Sequence, residues 1–295
     1  MKMLIVGSNG FIGRHLAAKL KNSGFQIVEL SSADGSGIDP ITGLLPKNFS
    51  FPKDVSVVIY LAQSPLASKT IKGASHALSV NCVSAVRLAS MAIHSKVQRF
   101  IYLSTGNVYA PSFDKLSVDS PLRRDNLYSL SKVHAEEALA LFRNQCEMIV
   151  VRPFGVFGDG QKERLIPNLI KKVQTNEIIS LHPSPGEVAC KSNETKGLRI
   201  SLIHIKDAVD ILVTIATNGG VNCLNLAGPE TSSIQSLTQK ISLLLGKKCS
   251  FMIAEDPRET DYIADFQSAK EILGRDFMSI ETGLTSLIDS SVADS

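Results

Sequence analysis

The feature of this sequence that most constrains its fold is a set of three evenly spaced glycines near the N-terminus. Gly7, Gly10 and Gly13 stand between the apolar segment Met3–Val6 and the segment Phe11–Asn22, whose apolar residues recur at helical spacing. Glycines between a strand and a helix permit a tight turn and a close approach of the backbone to a pyrophosphate, which the helix N-terminus attracts. The arrangement therefore predicts a dinucleotide-binding turn, with an ordinary glycine-rich turn as the alternative.

Strand-like and helix-like segments alternate through the first half of the chain. Val55–Ala62 is almost continuously apolar, which is typical of a parallel strand that is covered on both faces. Strands that alternate with helices imply a parallel, doubly wound sheet, so the sequence predicts an α/β protein of the Rossmann type. The predicted strands are Met3–Val6, Gln26–Leu30, Val55–Ala62, Arg99–Ser104 and Met148–Arg152, and the predicted helices are Phe11–Asn22, Ala74–His94 and Ser129–Arg143.

The alternation of strands and helices ends after Pro153, and this break predicts the domain organisation. We expect a dinucleotide-binding domain over residues 1–153, with a sheet that is completed by strands within residues 200–227. Residues 154–199 and 228–295 are then expected to form a smaller, discontinuous substrate-binding region towards the C-terminus. A very short additional strand is expected at Gly37–Asp39, within a stretch rich in Ser, Gly, Asp and Pro.

Composition excludes several classes of protein. The chain has 295 residues, and its 31 Lys and Arg against 28 Asp and Glu give a charge of only +3, which with no basic run argues against a nucleic-acid partner. Five dispersed cysteines without a C-x-x-C pair favour reduced thiols and argue against a structural metal. Because no stretch approaches the ~20 apolar residues of a membrane helix, we expect a cytoplasmic protein with no membrane partner.

The glycine spacing G-x-x-G-x-x-G, with Phe11 and Ile12 inside it, resembles the fingerprint of the extended short-chain dehydrogenases/reductases, the NAD(P)-dependent epimerase/dehydratase group. Further segments resemble motifs of that family in the same order along the chain: Leu61-Ala62, Asn81, Leu103–Tyr109, Tyr128–Lys132 and Arg152–Gly158. The resemblance covers almost the whole chain. It implies a Rossmann-type fold, a bound NAD(P) and a small-molecule substrate, as in the nucleotide-sugar epimerases.

Tyr128 and Lys132 are four residues apart and therefore share one face of a predicted helix. A nearby ammonium group stabilises a phenolate and lowers a tyrosine pKa from about 10, so such a tyrosine can exchange a proton with a substrate hydroxyl. The resemblance implies Tyr128 as the catalytic acid/base, Lys132 as its tuning partner and a ligand of the nicotinamide ribose, and Thr105 as the group that orients the substrate oxygen. His134 and Glu136, on the same helix, are expected to lie on its solvated surface.

The resemblance also implies which residues bind the cofactor: Gly7, Asn9, Gly10, Phe11, Ile12, Gly13, Arg14, Ser31, Ser32, Asp39, Leu61, Ala62, Asn81, Ser104, Lys132 and Pro153. NAD preference usually comes from an acidic residue at the end of the second strand. Ser31 and Ser32 stand there instead, whereas Arg14 offers a cation that can bind a 2′-phosphate. The sequence therefore favours NADP slightly over NAD, with an exposed helix arginine as the alternative for Arg14.

On the substrate side the sequence departs from the family pattern. The resemblance implies substrate contacts by Thr105, Asn107, Gly155, Arg199 and Arg258. Gly155 stands where relatives that bind nucleotide sugars commonly have Asn, and Arg199 is one position early for a diphosphate-binding arginine. Gly106 and Asn107 replace the Asp-Glu pair of the 4,6-dehydratases, so dehydration is not expected.

Three functional hypotheses follow from these residues. The first is an NAD(P)-dependent epimerase or reductase of a nucleoside-diphosphate sugar that works by hydride transfer. The second is an NADP-dependent reductase or dehydrogenase of a non-nucleotide carbonyl or alcohol, which Gly155 and Arg199 suggest. The third is a dinucleotide sensor without turnover, against which the intact set of Tyr128, Lys132 and Thr105 argues. A homodimer formed through a pair of helices is implied by the resemblance alone.

Overall fold

The computed structural model describes residues 1–66, 70–190 and 194–293. Its helices are α1 (Phe11–Asn22), α2 (Ile71–Leu78), α3 (Ser84–His94), α4 (Leu127–Ala140), α5 (Leu165–Gln174), α6 (Pro185–Ala189), α7 (Ile205–Asn218), α8 (Ile234–Leu245), α9 (Gln267–Leu273) and α10 (Ile280–Ala293). Its strands are β1 (Lys2–Val6), β2 (Gln26–Leu30), β3 (Val57–Tyr60), β4 (Arg99–Leu103), β5 (Lys115–Leu116), β6 (Glu147–Pro153), β7 (Gly155–Phe157), β8 (Ile178–Leu181), β9 (Arg199–His204), β10 (Cys223–Leu226), β11 (Thr231–Ser233), β12 (Ser250–Ile253) and β13 (Ile263–Ala264).

The central sheet has six strands in the order β10–β6–β4–β3–β1–β2. The pairs β1–β2, β1–β3, β3–β4 and β4–β6 are parallel. Every residue of β3 and β4 is buried, as expected for strands that are covered on both faces. The architecture confirms the predicted α/β fold with a parallel, doubly wound sheet.

The order of the strands reverses at β1, because β2 lies on one side of it and β3 on the other. In open α/β sheets, ligands bind outside the carboxyl ends of the strands at such a reversal. Gly7 follows β1 directly, and Leu61 follows β3. The topology therefore brings the glycine turn and the Leu61-Ala62 segment to the same edge of the sheet.

A π-helical turn, Ser79–Val83, joins α2 to α3 in one continuous helical stretch. Two buried phenols of the sheet bind this turn: the hydroxyl of Tyr60 donates to the carbonyl of Val80 at 2.5 Å, and that of Tyr102 donates to the carbonyl of Asn81 at 2.6 Å. These bonds satisfy hydroxyls that would otherwise be costly to bury. They also fix the helical stretch against β3 and β4.

The same stretch, residues 71–94, is long and apolar enough to cross a membrane by length and composition, and its most apolar 18-residue window has a mean hydropathy of 1.3. This finding corrects the expectation that no segment comes near that length. Half of its most apolar window is buried inside the protein. Such burial is typical of the core helix of a water-soluble fold, in which one face of the helix must be covered.

The chain divides into two compact units. The first comprises residues 1–110, 120–153 and 209–224, and its core includes Leu4, Val58, Tyr60, Leu88, Phe100 and Met148. The second comprises residues 111–119, 154–208 and 225–295, and its core includes Phe157, Ile166, Leu202, Leu237 and Leu284. The second unit contains a three-stranded sheet in the order β11–β9–β7 and the two-stranded pairs β12–β8 and β13–β5.

Two predicted strands differ from the structure. Residues 200–205 were expected to return to the central sheet, but β9, which covers most of them, pairs with β7 in parallel and with β11 in antiparallel fashion, whereas β10 does join the central sheet. Gly37–Asp39 is not a strand. Its backbone donors are used in turns, since the N–H of Gly37 donates to the carbonyl of Ser31 at 2.9 Å and that of Asp39 to the carbonyl of Leu44 at 2.9 Å.

Candidate active site

The glycine turn connects β1 to α1 with a geometry that excludes larger residues at two positions. Gly7 has a φ of +88°, and a Cβ there would lie 2.9 Å from the backbone nitrogen of Ala62. A Cβ on Gly13 would lie 2.2 Å from the carbonyl oxygen of Gly7. Gly10 caps α1 without a side chain, and the first turn of the helix has no acidic residue. The turn thus leaves the N-terminus of α1 open to an anion.

A cavity of about 350 Å³ lies beside this turn in the first unit. It is lined by eight of the residues that the sequence predicts to bind a cofactor: Gly7, Asn9, Gly10, Ser31, Ser32, Asp39, Leu61 and Ala62. Its remaining lining residues are Leu30, Ala33, Ile38, Pro40, Gln63, Pro65, His76 and Val80, none of which was predicted. A sequence signal for His76 and Val80 did exist, because they are four residues apart on the helix that carries Asn81 and so share one face.

The turns that follow β2 form one wall of the cavity. Oδ1 of Asp39 accepts hydrogen bonds from the backbone N–H of Thr42 at 2.7 Å and of Ile41 at 2.9 Å, and these bonds, in that order, lower the pKa of its carboxyl. Oγ of Ser31 accepts from the N–H of Ala33 at 3.0 Å. Glu29 forms an ion pair with Lys21. The positions of Ser31 and Ser32 at the end of β2 therefore carry no carboxylate, whereas the acidic residue Asp39 is one of the residues that line the cavity.

Asn81 joins the cavity to α4. Its side chain is fully buried, accepts from the backbone N–H of Ser64 at 3.3 Å and donates to the hydroxyl of Ser131 at 2.9 Å. Ser131 in turn donates to the carbonyl of Tyr128 at 2.7 Å. Asn81 thus holds the loop after β3 and the first turn of α4 together.

Helix α4 carries Tyr128 and Lys132 and is capped at its N-terminus by Asn126, whose side chain accepts from the backbone N–H of Ser129. The hydroxyl of Tyr128 donates to Oε1 of Gln63 at 3.4 Å. Gln63 also lines the cavity, so this bond connects the proposed acid/base to the cavity wall. The ring of Tyr128 is only partly buried, which leaves it accessible to a substrate.

Lys132 is fully buried, and its surroundings decide its charge. Its Nζ donates to the carbonyl of Leu103 at 2.8 Å and lies 4.9 Å from the centroid of the Tyr102 ring. Burial lowers the pKa of Lys132 to about 7, and the carboxylate of Glu136 opposes that shift.

Thr105 lies just after β4 and is buried, and its Oγ1 accepts from the N–H of Asn107 at 3.2 Å. Asn107 itself is exposed.

Glu136 is not on the surface, and the expectation that it is solvated was wrong. It forms a buried ion pair with Arg152 at 2.6 Å, and the hydroxyl of Ser104 donates to it. Arg152 also donates to the hydroxyl of Tyr109 at 2.9 Å. The spacing held a signal, since Glu136 is four residues after Lys132 and so lies on the same buried helix face. The hydroxyl of Ser104, predicted to contact the cofactor, is used in this network.

The two arginines predicted to bind substrate meet on one buried carboxylate in the second unit. The Nε of Arg199 lies 2.7 Å from Oδ2 of Asp261, and the Nε of Arg258 lies 2.9 Å from its Oδ1. Arg258 also contacts Glu187 at 3.0 Å. Two carboxylates thus balance two guanidinium groups within the cluster.

Close packing between two strands explains why position 155 is a glycine, which the sequence alone did not reveal. A Cβ at this position would lie 2.5 Å from Cδ2 of Leu202 and 3.0 Å from the carbonyl oxygen of Ser201, across the β7–β9 pair. An asparagine there would require the neighbouring strand to move.

Among residues 1–66, 70–190 and 194–293, no group of His, Cys, Asp and Glu could hold a metal ion, and all five cysteines are free thiols.

The chain was compared with models of protein families, with curated proteins and with solved structures. The sequence model of the "NAD dependent epimerase/dehydratase family" matches residues 3–227. The chain is 24% identical to "Low-salt glycan biosynthesis protein Agl12" of Haloferax volcanii, with 100% of this chain and 99% of the relative covered. It is 24% identical to "dTDP-D-glucose 4,6-dehydratase" of Mus musculus, with 90% and 78% covered. The solved structure of "UDP-Glucuronic acid 4-epimerase from Bacillus cereus in complex with UDP-Glucuronic acid and NAD" has a TM-score of 0.77 at 21% identity, with 100% of both chains covered.

Proposed function

This chain belongs to the NAD-dependent epimerase/dehydratase family, and from that premise we propose that it is an NAD(P)-dependent epimerase or reductase of a nucleoside-diphosphate sugar. The observation that carries the proposal is the pairing of a glycine-built cavity at the β1–β3 reversal with Tyr128, whose hydroxyl bonds to the wall of that cavity through Gln63. The names of the relatives support the substrate class, since they include enzymes of dTDP-glucose and UDP-sugars.

The residues of the cavity fit the adenosine diphosphate end of a dinucleotide. Gly7 and Gly13 leave a cradle that a Cβ would fill, and the open N-terminus of α1 suits the pyrophosphate. Apolar side chains of Ile38, Leu61 and Val80 offer the walls that a purine ring needs. When bound, the dinucleotide would supply an acceptor and a donor of hydride beside the reacting carbon of the sugar.

In this proposal Tyr128 exchanges the proton of the sugar hydroxyl at its phenolic oxygen. Thr105 orients that hydroxyl from the end of β4. Lys132 lies one helical turn from Tyr128. As long as its amine is protonated, its positive charge stabilises the phenolate of Tyr128. Because the pKa of Lys132 is about 7, its charge changes near neutral pH, so the rate is expected to depend on pH in this range.

Dehydration is not part of the proposal, although relatives include a dehydratase. Gly106 has no side chain, and Asn107 carries an amide that neither gives nor takes a proton near neutral pH. The chain therefore lacks, next to Thr105, the acid and base that water elimination requires. A cytoplasmic location and a homodimer belong to the proposal as properties implied by the family resemblance.

For the cofactor we favour NADP over NAD, although related structures contain NAD. Ser31 and Ser32 place no carboxylate at the end of β2, and Arg14 is exposed on the first turn of α1, with its guanidinium 5.5 Å from the centroid of the Phe11 ring. Titrations of the purified protein with NADP and NAD measure the preference. Tighter binding of NAD would overturn it, and an Arg14→Ala variant shows whether that residue contributes.

Substitution of Tyr128 by Phe tests the proposed chemistry. Loss of the phenolic hydroxyl should lower kcat by about 10²- to 10⁴-fold, because proton transfer contributes about that much. The affinity for the dinucleotide should change little, since the cavity is intact. The measurement uses UDP-, dTDP- and GDP-sugars with NADP(H) and NAD(H), and dinucleotide binding to the variant serves as the control. Full activity of Tyr128→Phe would overturn the acid/base assignment.

A second candidate function is reduction or oxidation of a non-nucleotide carbonyl or alcohol. The observation that favours it is the pairing of Arg199 and Arg258 with Asp261 and Glu187, which leaves the cluster without net positive charge for a diphosphate. Binding of free UDP, dTDP and GDP separates the two functions. Of these two functions, only the second is expected to give a protein that binds a dinucleotide but none of these nucleotides, and turnover of a carbonyl or alcohol substrate would distinguish it from a dinucleotide sensor.

A further inference from the structure

Glu136 is a buried carboxylate near the proposed catalytic residues that no step of the proposed function uses. Its side chain is only 6% exposed, and it is paired with Arg152, which is equally buried. Replacing a buried ion pair by apolar residues of similar volume is often neutral or stabilising, so stability alone does not explain these charges. Lys132 lies one turn earlier on α4 and on the same face, which points to a role of the carboxylate in the active site.

Helix α4 contacts the end of β4 at two successive residues. The Nζ of Lys132 donates to the carbonyl of Leu103 at 2.8 Å. One turn further along α4, the carboxylate of Glu136 accepts from the hydroxyl of Ser104. The N–H of Ser104 donates to a carbonyl of β6 at 2.7 Å. The end of β4 is therefore fixed from α4 and from β6 directly before Thr105.

Arg152 holds the carboxylate of Glu136 in place. Its Nη2 lies 2.6 Å from Oε2 of Glu136, and its Nε lies 3.2 Å from both carboxylate oxygens. Its Nη1 donates to the hydroxyl of Tyr109 at 2.9 Å, and its guanidinium lies 4.9 Å from the centroid of the Tyr109 ring. Because a guanidinium is planar, it cannot turn here without losing one of these contacts, and the carboxylate is held with it.

The charges around Lys132 come from α4 itself and from the elements packed against it. Burial raises the pKa of the Tyr60 and Tyr102 phenols and of the Cys82 thiol, so these three groups are neutral near pH 7. The carboxylate of Glu136 favours the protonated form of Lys132. The titratable and charged groups of this region are Tyr60 on β3, Cys82 in the π-helical turn, Tyr102 on β4, Tyr128 and Glu136 on α4, and Arg152 on β6.

We propose that Glu136 is a positioning residue of the proposed active site, which holds the end of β4 in place through the hydroxyl of Ser104. Two groups of that strand end serve the chemistry: the carbonyl of Leu103, which accepts from Lys132, and the side chain of Thr105. The proposal rests on the proposed function, because Lys132 and Thr105 have their roles only there. Release of Ser104 should weaken the bond between Lys132 and Leu103 and leave the ammonium group less stabilised.

Ser104→Ala tests this link, because it removes the hydroxyl and keeps the ion pair of Glu136 and Arg152. NMR titration of ¹³C-labelled lysine measures, without substrate, the pH at which Lys132 is half-protonated, and Lys132→Met assigns its signal. In Ser104→Ala this pH should fall by about one pH unit, the effect of one weakened hydrogen bond to a charged group. With UDP-, dTDP- and GDP-sugars, kcat at pH 7 should fall by about fivefold at similar KM, because the protonated fraction of Lys132 falls from about a half to about a tenth.

Two adjacent glutamates separate the charge of Glu136 from its contact with Ser104. Glu136→Gln removes the charge as well, and it should lower the half-protonation pH of Lys132 by more than Ser104→Ala does. Glu137→Gln changes an exposed glutamate and should leave this pH as in the wild type. If only Glu136→Gln lowered it, the carboxylate would act by its charge alone and the positioning role would be overturned. If Glu136→Gln does not fold, Ser104→Ala decides the question.

The outcomes also separate this proposal from the proposed function. A wild-type protein that binds no dinucleotide and turns over none of the sugars overturns both, because Lys132 and Thr105 then lose their roles. A protein that binds a dinucleotide, and in which Ser104→Ala leaves the titration of Lys132 unchanged, overturns only the role of Glu136. A lowered titration of Lys132 in Ser104→Ala, together with the loss of kcat, supports the proposal.

Discussion

At the scale of single residues, the pKa of Lys132 shows how strongly the surroundings of a side chain determine its chemistry. Its position four residues after Tyr128 is visible in the sequence, but its complete burial and its bond to the carbonyl of Leu103 are not. A buried ammonium group loses its hydration, so its pKa falls from 10.5 to about 7. The sequence therefore gives the spacing of Lys132 from Tyr128, but it does not reveal the burial that lowers the pKa of Lys132.

This lowered pKa predicts how stability changes with pH. Between pH 7 and 10.5 the unfolded state holds a proton on Lys132 that the folded state has released, so the free energy of unfolding should rise with pH in this range. A shift of this size corresponds to a gain of about 2 kcal/mol between pH 7 and 9. The gain should be absent in Lys132→Met. Urea denaturation of both proteins at pH 6, 7, 8 and 9 measures it, with Lys171→Met at an exposed position of α5 as the control for loss of one charge.

If the difference in stability between wild type and Lys132→Met stayed constant from pH 7 to 9, the lowered pKa would be contradicted. Below pH 7 both states hold the proton, and the curves are expected to run parallel there. The loss of the bond to Leu103 adds a constant offset that does not depend on pH.

At the scale of elements, α4 shows what periodicity can and cannot reveal. The helix and the shared face of Tyr128 and Lys132 were predictable from a spacing of four. The same spacing placed Glu136 on that face, but a glutamate is rarely buried unless it is paired, and its partner Arg152 lies on β6, 16 residues away. Burial of a charge depends on a contact distant in sequence, which the local pattern does not contain.

Two adjacent glutamates of α4 make a matched pair of substitutions. Glu136→Gln leaves Arg152 buried without its counter-charge and should lower the free energy of unfolding by about 3–5 kcal/mol. Glu137→Gln removes an exposed pair with Arg124 and should cost less than about 1 kcal/mol. Urea denaturation at pH 7 measures both. Equal small effects would mean that the buried pair does not hold α4 to β6.

The glycine turn is the element that the sequence described best, because its requirements are local. Gly13→Ala places a methyl group 2.2 Å from the carbonyl oxygen of Gly7 and 2.7 Å from that of Ser8, so the turn must open. Stability should fall by at least about 1–3 kcal/mol, as for other overpacked sites. Dinucleotide affinity should fall with it, because the backbone N–H groups move.

Gly186→Ala is the matched control for the glycine turn. It lies in α6, where a Cβ meets no atom closer than 4.0 Å, and its effect on stability should be neutral or favourable. Thermal denaturation and dinucleotide titration of both variants test the pair. A Gly13→Ala variant that binds dinucleotide like the wild type would show that the close approach at α1 is not needed for binding.

At the scale of the whole molecule, the central sheet was predictable and the second unit was not. Parallel strands and crossover helices recur along the chain, so periodicity identifies them. The strands of the second unit pair across long separations, as when β9 joins β7 and β11, and the segment 111–119 belongs to that unit although the first unit flanks it on both sides. No local pattern specifies such pairings, which explains why residues 200–205 were assigned to the wrong sheet.

One buried carboxylate ties the distant segments of the second unit together. Asp261 accepts from the backbone and side chain of Arg199 and from the side chain of Arg258, and its own N–H donates to the carbonyl of Ser112 at 2.8 Å. Asp261→Asn keeps the shape but leaves two guanidinium groups without a full counter-charge. Because Arg258 keeps its contact with Glu187 and Arg199 is partly exposed, the free energy of unfolding of this unit should fall by about 1–3 kcal/mol.

Hydrogen exchange followed by mass spectrometry locates the effect of Asp261→Asn, because local opening exposes the amides that the lost contacts protected. Exchange should accelerate at the amides of Arg199, Ser201 and Tyr262, whose bonds join β9 to the segment around Asp261. Peptides from β4 of the first unit provide the internal reference. Unchanged exchange at Arg199 and Tyr262 would contradict the role of Asp261. It would mean that strand pairing alone, and not the charge cluster, holds the separated segments of this unit in register.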